Sequence, residues 1–244
     1  MTTDPGSTSP AYARIAAALR ARIQAGELGP HALVPSEREL SRDFEVSRMT
    51  ARQALLVLEG EGSVYRRPPR GTFVAEPRLP LRLGSFSAEV RRAGHRPGAQ
   101  VLLAETQRAS ADVASELGLS TRRRVHALQR LRTVDGDPVA LETSYYPAST
   151  TPGLLDRDLG GSLWSTLFVA YGIAAHRASG TVEVITLDEP SSRHLGTRVA
   201  APAILLLRHT YDASGRCFEF ARDVYRSDRA SFRVDADVAV DGPG

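Results

Sequence analysis

The sequence predicts an α+β chain in which a small helical domain precedes a larger domain built on an antiparallel sheet. In the first quarter of the chain, apolar residues recur at steps of three and four, which is the period of amphipathic helices. Further along they alternate at steps of two, and turn signals such as Asp135-Gly136 separate the segments. A length of 244 residues accommodates two modest domains at ~100–200 residues each.

The composition is that of a soluble globular protein, with 42% hydrophobic and 24% charged residues. No apolar run approaches the ~20 residues that a membrane helix needs, and no charged segment followed by an apolar stretch opens the chain. We therefore expect no membrane contact, no secretory signal and a cytoplasmic location. Cys217 is the only cysteine, which excludes an internal disulfide and a cysteine-built zinc site. No metal or other cofactor is expected.

All 31 basic residues are arginine, and the formal net charge is +3. One interpretation is the coding bias of a GC-rich genome. The other is an anionic partner, because guanidinium groups bind phosphates and guanine edges in bidentate geometry. Composition does not separate these two interpretations, so the positions of the arginines must.

Three short helices are predicted before residue 62. The first begins at Pro10 and ends at Gly26. The second begins at Ser36, where Glu39 three residues later completes a capping box. The third runs from Ser47, a capping residue, to Gly60.

Two short strands, 64–67 and 72–74, flank Pro68-Pro69-Arg70-Gly71 and predict a β-hairpin with a basic tip. Three helices followed by a basic hairpin are typical of a winged helix-turn-helix, although a helical cap on a larger domain has the same outline. Arg48 and Arg52 favour the first interpretation, because they lie at i and i+4 on the third helix, opposite its apolar stripe. A helix with arginine and threonine near its start suits the major groove of DNA.

Three segments of this region resemble the DNA-binding domain of GntR-family transcription regulators: 35–40, 46–55 and 71–74. The resemblance covers residues 12–74 and implies a set of DNA-contacting positions, namely Arg38, Ser47, Arg48, Thr50 and Arg52. The hairpin adds Arg67, Arg70 and Gly71 to the predicted DNA-binding set. Pro69 departs from the family, whose wing usually has Gly-x-Gly here, so we expect the wing to approach the minor groove less closely.

A linker at 76–82 is expected to join this domain, residues 10–75, to a second domain at 83–236. Strands are predicted at 100–106, 125–133, 139–145, 178–184, 203–211 and 218–225. Helices are predicted at 110–117 and 162–171. Hairpin turns with interspersed helices indicate an antiparallel sheet covered by helices.

Strand alternation places Arg130 and Arg132 on one face of the sheet, with Glu142 on the partner strand across the Asp-Gly turn. The last long strand places three polar residues on one face, opposite Phe218: Glu219, Asp223 and Tyr225. Two guanidinium groups on one face suit a clamp for phosphate or carboxylate. A solvated face with surface ion pairs fits the same pattern.

Residues 83–234 resemble the UTRA effector-binding domain of the HutC subfamily, whose sheet fold is related to chorismate lyase. The segments that carry the resemblance are 83–87, 130–132, 138–143, 161–164, 218–220 and 225–229. In amino-sugar-sensing members a Ser/Thr turn and two strand arginines hold a phosphate. The resemblance therefore implies phosphate contacts from Ser87, Arg130, Arg132 and Ser162. It also implies contacts from Glu142, Glu219 and Tyr225 to the sugar hydroxyls or amine.

The function predicted is a ligand-responsive transcription regulator, most simply a repressor, that acts as a homodimer on a palindromic double-stranded DNA operator. Its effector is expected to be a small anionic metabolite such as a phosphorylated sugar. One alternative is a degenerate second domain used only for dimerisation. Another is a lyase-like enzyme, which is disfavoured because the chain has no nucleophile elbow, P-loop or His-Glu zinc motif. No catalytic residue is predicted.

Overall fold

The computed structural model describes residues 9–234. The chain divides between Pro77 and Arg78 into two compact units. Helices and an antiparallel sheet are both present, so the predicted α+β class is confirmed. The last two residues of the predicted second domain, 235 and 236, lie outside the described residues.

The first unit is a three-helix cluster followed by a two-stranded hairpin. Its elements are α1 (Ala11–Gln24), α2 (Glu37–Asp43), α3 (Arg48–Gly60), β1 (Val64–Arg67) and β2 (Gly71–Val74). The Ser36 side chain accepts from the Glu39 backbone, and the Glu39 carboxylate accepts from the Ser36 backbone, so the predicted capping box is confirmed. Apolar side chains from all three helices and both strands form one core, which includes Ile15, Leu19, Leu40, Leu55, Leu58, Val64 and Val74. This arrangement is a winged helix-turn-helix, as predicted.

The second unit is built on a six-stranded antiparallel sheet. Its elements are β3 (Leu79–Leu81), α4 (Phe86–Arg92), β4 (Pro97–Arg108), α5 (Ala111–Glu116), β5 (Arg124–Val134), β6 (Asp137–Pro147), α6 (Leu163–Tyr171), β7 (Arg177–Thr186), α7 (Glu189–His194), β8 (Pro202–Tyr211), β9 (Cys217–Arg226) and β10 (Ala230–Phe232). The strand order in the large sheet is β4-β5-β6-β9-β8-β7. Each of the six strands predicted from alternation is present, and five extend beyond both predicted ends, while β8 ends at Tyr211 as predicted.

Helices pack on both faces of this sheet. Leu163 and Leu167 of α6 pack against Leu128 of β5, and Val90 of α4 packs against Ala140 of β6. The contacting residues of β5 and β6 are even-numbered, so α4 and α6 cover the same face. Odd-numbered residues of β5 lie on the other face: Val125 packs with α5 and Leu131 with the α7 region.

The expected linker at 76–82 differs from the structure, because Leu79–Leu81 forms β3 and pairs in parallel with β10. Leu79 and Leu81 are buried on either side of the exposed Pro80. The partner strand lies some 150 residues further along the chain, a separation taken from their register. The sequence does not predict β3, because a strand of three residues with so distant a partner has no adjacent turn that would indicate the pairing.

Phe218 was expected opposite Glu219, but it packs with Leu128 and Tyr146 on the face covered by α6. The pairing of β8 with β9 shifts register between Thr210 and Tyr211. The resulting bulge interrupts the alternation of side chains at Phe218.

Candidate nucleic-acid interface and ligand cavity

Arg48 and Arg52 lie on the exposed side of α3. The opposite side of the same helix is buried in the core through Ala51, Ala54 and Leu55. Within residues 9–234, neither guanidinium makes a hydrogen bond or an ion pair. Both are therefore available to an anionic partner, as is the exposed Arg38 of α2.

The start of α3 is fixed by its own side chains. The Ser47 hydroxyl accepts from the Thr50 backbone at 3.1 Å and lies 2.9 Å from the Thr50 hydroxyl. This cap fixes the position of the first turn, which presents base-contacting groups in helix-turn-helix proteins. Met49 lies in the same turn with 70% of its surface exposed. An exposed apolar side chain at this position suits contact with a thymine methyl group. Met49 was not predicted as a site residue, although the sequence already places it opposite the apolar stripe that contains Ala51.

The arginines of the hairpin differ in the direction of their side chains. Arg66 turns back onto the helices, with Nε 3.1 Å from Glu59 and Nη2 3.8 Å from Glu37. Arg67 and Arg70 are exposed at the tip, where the Pro68–Pro69 peptide bond is cis. Arg66 therefore supports the fold, and the tip pair faces outward.

Gly71 begins the second strand of the hairpin with φ +117°. A Cβ at this position would lie 2.9 Å from Leu33 Cδ1, which is closer than side chains tolerate. The backbone conformation favours glycine, whereas Leu33 Cδ1 is the end of an exposed, flexible side chain that can move away. Gly71 belongs to the predicted DNA-binding set, and its backbone conformation is a second, structural reason for glycine at this position.

The second unit contains a cavity between the sheet and the starts of α4 and α6. The space between its lining atoms, open solvent at the mouth included, is about 340 Å³. The lining residues are Gly84, Ser85, Phe86, Ser87, Arg130, Arg132, Glu142, Ser162, Leu163, Trp164, Arg208, Asp223 and Tyr225. Six of the seven predicted effector contacts are among them, and Glu219 is the exception.

Glu142 joins the two strand arginines. Arg130 Nη2 donates to Glu142 Oε1 at 2.7 Å, and Arg132 Nη1 donates to Oε2 at 3.2 Å. Arg130 lies directly opposite Glu142 in the register of β5 and β6. All three residues are at least nine-tenths buried. The charges are therefore fixed in place by the sheet and do not form a solvated surface network.

The electrostatic balance favours ionised groups at this junction. Burial opposes ionisation of Glu142, but Arg130 and Arg132 outweigh it and lower its pKa to about 2. Burial also lowers the pKa of Arg132, against the attraction of Glu142. For Arg130 the attraction of Glu142 overcomes burial and raises its pKa.

Two helix starts bring hydroxyl groups to the same cavity. Ser87, in the first turn of α4, accepts from Arg132 Nη2 at 2.9 Å. Ser162 caps α6 and Ser85 caps α4, with their hydroxyl oxygens 3.4 Å apart. The backbone N–H groups at the start of α6 add a weakly positive environment. Ser85 was not predicted as a site residue, although its position before the Phe86 helix is typical of a cap.

Glu219 lies behind the cavity and is 1% exposed. Four side chains donate to its carboxylate: Tyr146, Trp164, Arg208 and Thr210. Burial opposes its ionisation, but Arg208 and these hydrogen bonds hold its pKa below the ordinary value. Its contacts position Trp164 and Arg208, which do line the cavity.

Three buried polar atoms of cavity residues have no hydrogen-bond partner among residues 9–234: Arg130 Nε, Arg132 Nε and Asp223 Oδ1. Unsatisfied buried groups are unfavourable and uncommon in folded proteins. Two are donors and one is an acceptor. Arg208 and Asp223 had not been predicted as site residues, although both follow the alternation that revealed Arg130 and Glu219.

Among residues 9–234, no helix has the length and apolar character needed to cross a bilayer. In the same range, no group of three or more His, Cys, Asp and Glu side chains is arranged to hold a metal ion.

Comparison with protein families finds a match for each of the two units. The family of bacterial regulatory proteins called gntR matches residues 11–74, and the UTRA domain matches residues 92–231. The chain belongs to the GntR family. Its UTRA domain places it with the HutC-type members, as the resemblance in both halves implied, and this family consists of DNA-binding regulators and not enzymes.

Relatives match along most of their length. The HTH-type transcriptional repressor NagR of Bacillus subtilis is 33% identical over 95% of this chain and 97% of its own. The histidine utilization repressor of Pseudomonas putida is 30% identical over 85% of this chain and 84% of its own. The crystal structure of PhnF from Mycobacterium smegmatis superposes with a TM-score of 0.67 at 32% identity, covering 92% of this chain and all of that one.

Proposed function

We propose that this GntR regulator is a repressor that binds a palindromic DNA operator as a homodimer in the cytoplasm. Its affinity for the operator changes when a small anionic metabolite, such as a phosphorylated sugar, occupies the cavity of the UTRA domain. The relatives NagR and the histidine utilization repressor are named as repressors, which supports the sign of regulation.

The observation that carries the effector proposal is the pair of buried, unpartnered Nε atoms of Arg130 and Arg132. Both donors belong to cavity residues, and the hydroxyl groups of Ser87 and Ser162 line the same cavity. An anion with several oxygen atoms satisfies such donors with charge-assisted hydrogen bonds. Tyr225 and Glu142 are then available to the remainder of the ligand.

Contacts at the same cavity offer a way for a bound ligand to change the affinity for DNA. Arg132 donates to Ser87 at the start of α4, and the segment 78–85 leads from there to the boundary between the units. A ligand that engages Ser87 acts on this segment. Ligand binding changes DNA affinity only if the ligand has different free energies in the two DNA-binding states.

Operator binding with and without ligand tests the proposal. Phosphorylated sugars, with inorganic phosphate as the simplest probe, are screened by thermal shift, and the best is then added to gel shifts on the protein's own promoter region. Addition of the ligand should change the operator affinity of wild type by roughly 5–150-fold, which corresponds to a coupling free energy of ~1–3 kcal/mol. Arg132→Ala should bind the operator normally but lose this response.

Arg222→Ala is the matched control, because Arg222 is an exposed arginine of the same sheet outside the cavity lining. It should keep both operator binding and ligand response. A full response in Arg132→Ala would refute the anion clamp. A second unit used only for dimerisation predicts no response to any ligand in wild type.

A further inference from the structure

The exposed face of α3 contains one apolar side chain among polar ones. In the first two turns of this helix as the structure describes it, 48–55, the exposed residues are Arg48, Met49, Arg52 and Gln53. Met49 is the apolar member of this set, and 70% of its surface is exposed. Single exposed apolar side chains are common on protein surfaces, so the position of Met49 on the helix must decide what it does.

Met49 lies at the centre of the exposed face. The opposite face is buried in the core of the first unit through Ala51, Ala54, Leu55 and Leu58. At 3.6 residues per turn, Met49 projects within roughly 10° of the direction opposite the mean of these buried residues. It is therefore the side chain of the first turn that points most directly away from the core.

Polar side chains flank Met49 on both sides. Arg52 and Gln53 follow it by three and four residues, so they lie in the next turn, at roughly 60° and 40° to either side of its direction. A recognition helix in the major groove turns its outermost face towards the base edges, and its N-terminal residues contact them. Met49 is the second residue of α3. Its position is therefore that of a base-contacting residue, with Arg52 and Gln53 at its sides.

The chemistry of methionine selects one feature of the major groove. A thioether is at most a weak hydrogen-bond acceptor, so Met49 cannot satisfy the donors and acceptors on the edges of guanine, adenine and cytosine. Against such an edge it would displace water and leave polar groups unpaired, which is unfavourable. Thymine alone presents a methyl group in this groove. An apolar side chain at this position therefore favours thymine and disfavours the other bases.

We propose that Met49 is a specificity-determining residue, which contacts the C5-methyl group of one thymine in each half-site of the operator. This inference rests on the proposed binding of a DNA operator and names a base that α3 reads. The Ser47 cap, which accepts from the Thr50 backbone at 3.1 Å, fixes the backbone on both sides of Met49. The unbranched side chain then adapts its rotamer to the methyl group.

A deoxyuridine scan of the operator in the protein's own promoter region tests the proposal, because deoxyuridine lacks only the methyl group of thymine. Fluorescence anisotropy on the full chain compares the thymine positions in turn, each changed symmetrically in both half-sites. In wild type, one position should lose about fourfold in affinity per half-site, or roughly 15-fold for the pair, as expected when one buried methyl group is removed.

Three variants assign the effect to Met49. Met49→Gln keeps the length of the side chain but makes its end polar, so thymine and deoxyuridine at that position should bind within about twofold of each other. Met49→Leu keeps the apolar character and the approximate volume, and it should retain the preference for thymine. Leu56→Gln is the matched control and should also retain it. Leu56 is 41% exposed on the same side of α3, but it lies two turns further on, roughly 10 Å along the helix.

The ratio of the affinities for the thymine and deoxyuridine operators is the readout, because a variant that is only less stable binds both operators less well by the same factor. This ratio should stay constant as the salt concentration rises, since a methyl contact releases no counterion, while the affinity for each operator falls steeply. A second measurement replaces the same thymine by cytosine and then by 5-methylcytosine. The added methyl group should restore about fourfold per half-site in wild type and nothing in Met49→Gln.

The outcomes separate this inference from the proposed function. If wild type binds the operator and no thymine position responds to loss of its methyl group by more than about twofold, operator binding stands and the role of Met49 is refuted. A methyl preference that survives in Met49→Gln refutes it as well, since another side chain then makes the contact. If wild type binds its promoter region no more tightly than random DNA, the proposed operator binding fails, and this inference fails with it.

Discussion

At the scale of single residues, the arginines of this protein differ in what surrounds them. Arg48 and Arg52 are exposed on α3 and make no ion pair within the described residues. Arg130 and Arg132 are 2% exposed and share one carboxylate, Glu142. The exposed pair suits the salt-dependent binding of a polyanion. The buried pair suits a small anion that satisfies a fixed set of donors.

The first prediction concerns Arg52→Ala. This change should weaken specific DNA binding by about 1–3 kcal/mol, because it removes a base- or phosphate-contacting guanidinium from the recognition helix. Fluorescence anisotropy with operator DNA, repeated at several salt concentrations, measures the loss. Wild-type affinity should fall steeply with salt. Specific binding that survives in the Arg48→Ala/Arg52→Ala double variant would contradict the assignment of α3.

The second prediction concerns Glu142→Gln. This change leaves two buried guanidinium groups without a counter-charge, so the free energy of unfolding should fall by ~3–5 kcal/mol. Chemical denaturation measures it, with Glu105→Gln at an exposed position of β4 as the control. If the two variants have equal stability, the Arg130–Glu142–Arg132 junction is not an important source of stability.

The pH dependence of the free energy of unfolding follows from the Glu142 carboxylate. The folded pKa of Glu142 is lowered from 4.5 to about 2, so folding favours its ionised form. Its contribution to stability is therefore fully present above pH 4.5 and is lost as the pH falls through 2. Glu142→Gln should remove this part of the acid sensitivity, and denaturation at a series of pH values checks it.

At the scale of elements, the starts of helices position both candidate sites. Ser47 caps α3, whose exposed face presents the arginines predicted to bind DNA. Ser85 and Ser162 cap α4 and α6 beside the cavity. The capping residues at 36, 47 and 162 could be predicted from local sequence, since a cap needs only a hydroxyl or amide side chain before a helical pattern. Helices α4 and α7 were not predicted from the sequence.

The third prediction concerns the wing. Arg67 and Arg70 are exposed at a tip that contains Pro68 and Pro69, and proline bulk limits the approach to a groove. We therefore expect them to contact phosphates. Arg67→Ala or Arg70→Ala should weaken binding to operator and to random DNA by similar factors. An operator scan that shows a selective loss at one base pair would be inconsistent with this role.

At the scale of the whole molecule, one winged helix reads too few base pairs to discriminate a site in a genome, so two copies on a palindrome are expected. In the first unit, the buried apolar side chains form that unit's own core. In the second unit, the edge strand β7 exposes Val182 by 48% and Val184 by 83%. Exposed apolar edge strands favour association. The second unit is therefore the expected location of the dimer interface.

The fourth prediction tests this placement. A fragment beginning at Arg78 retains β3, which pairs with β10, whereas a fragment beginning at Leu83 would lose that pairing. Light scattering on the longer fragment should report a dimer at micromolar concentration. A stable monomer would place the interface in the first unit or require DNA for assembly.

The amino-acid sequence by itself determined the two kinds of domain, the helix caps and the six main strands, because these depend on local periodicity and short-range hydrogen bonds. It also predicted Arg130, Arg132 and Glu142 as neighbours, since alternation and one tight turn fix their register. Only the tertiary structure decided the role of β3, the position of Glu219 behind the cavity and the unmet acceptor of Asp223. Each of these depends on strands that are distant in sequence, and the free energy of a buried polar group is set by the partners that folding brings to it.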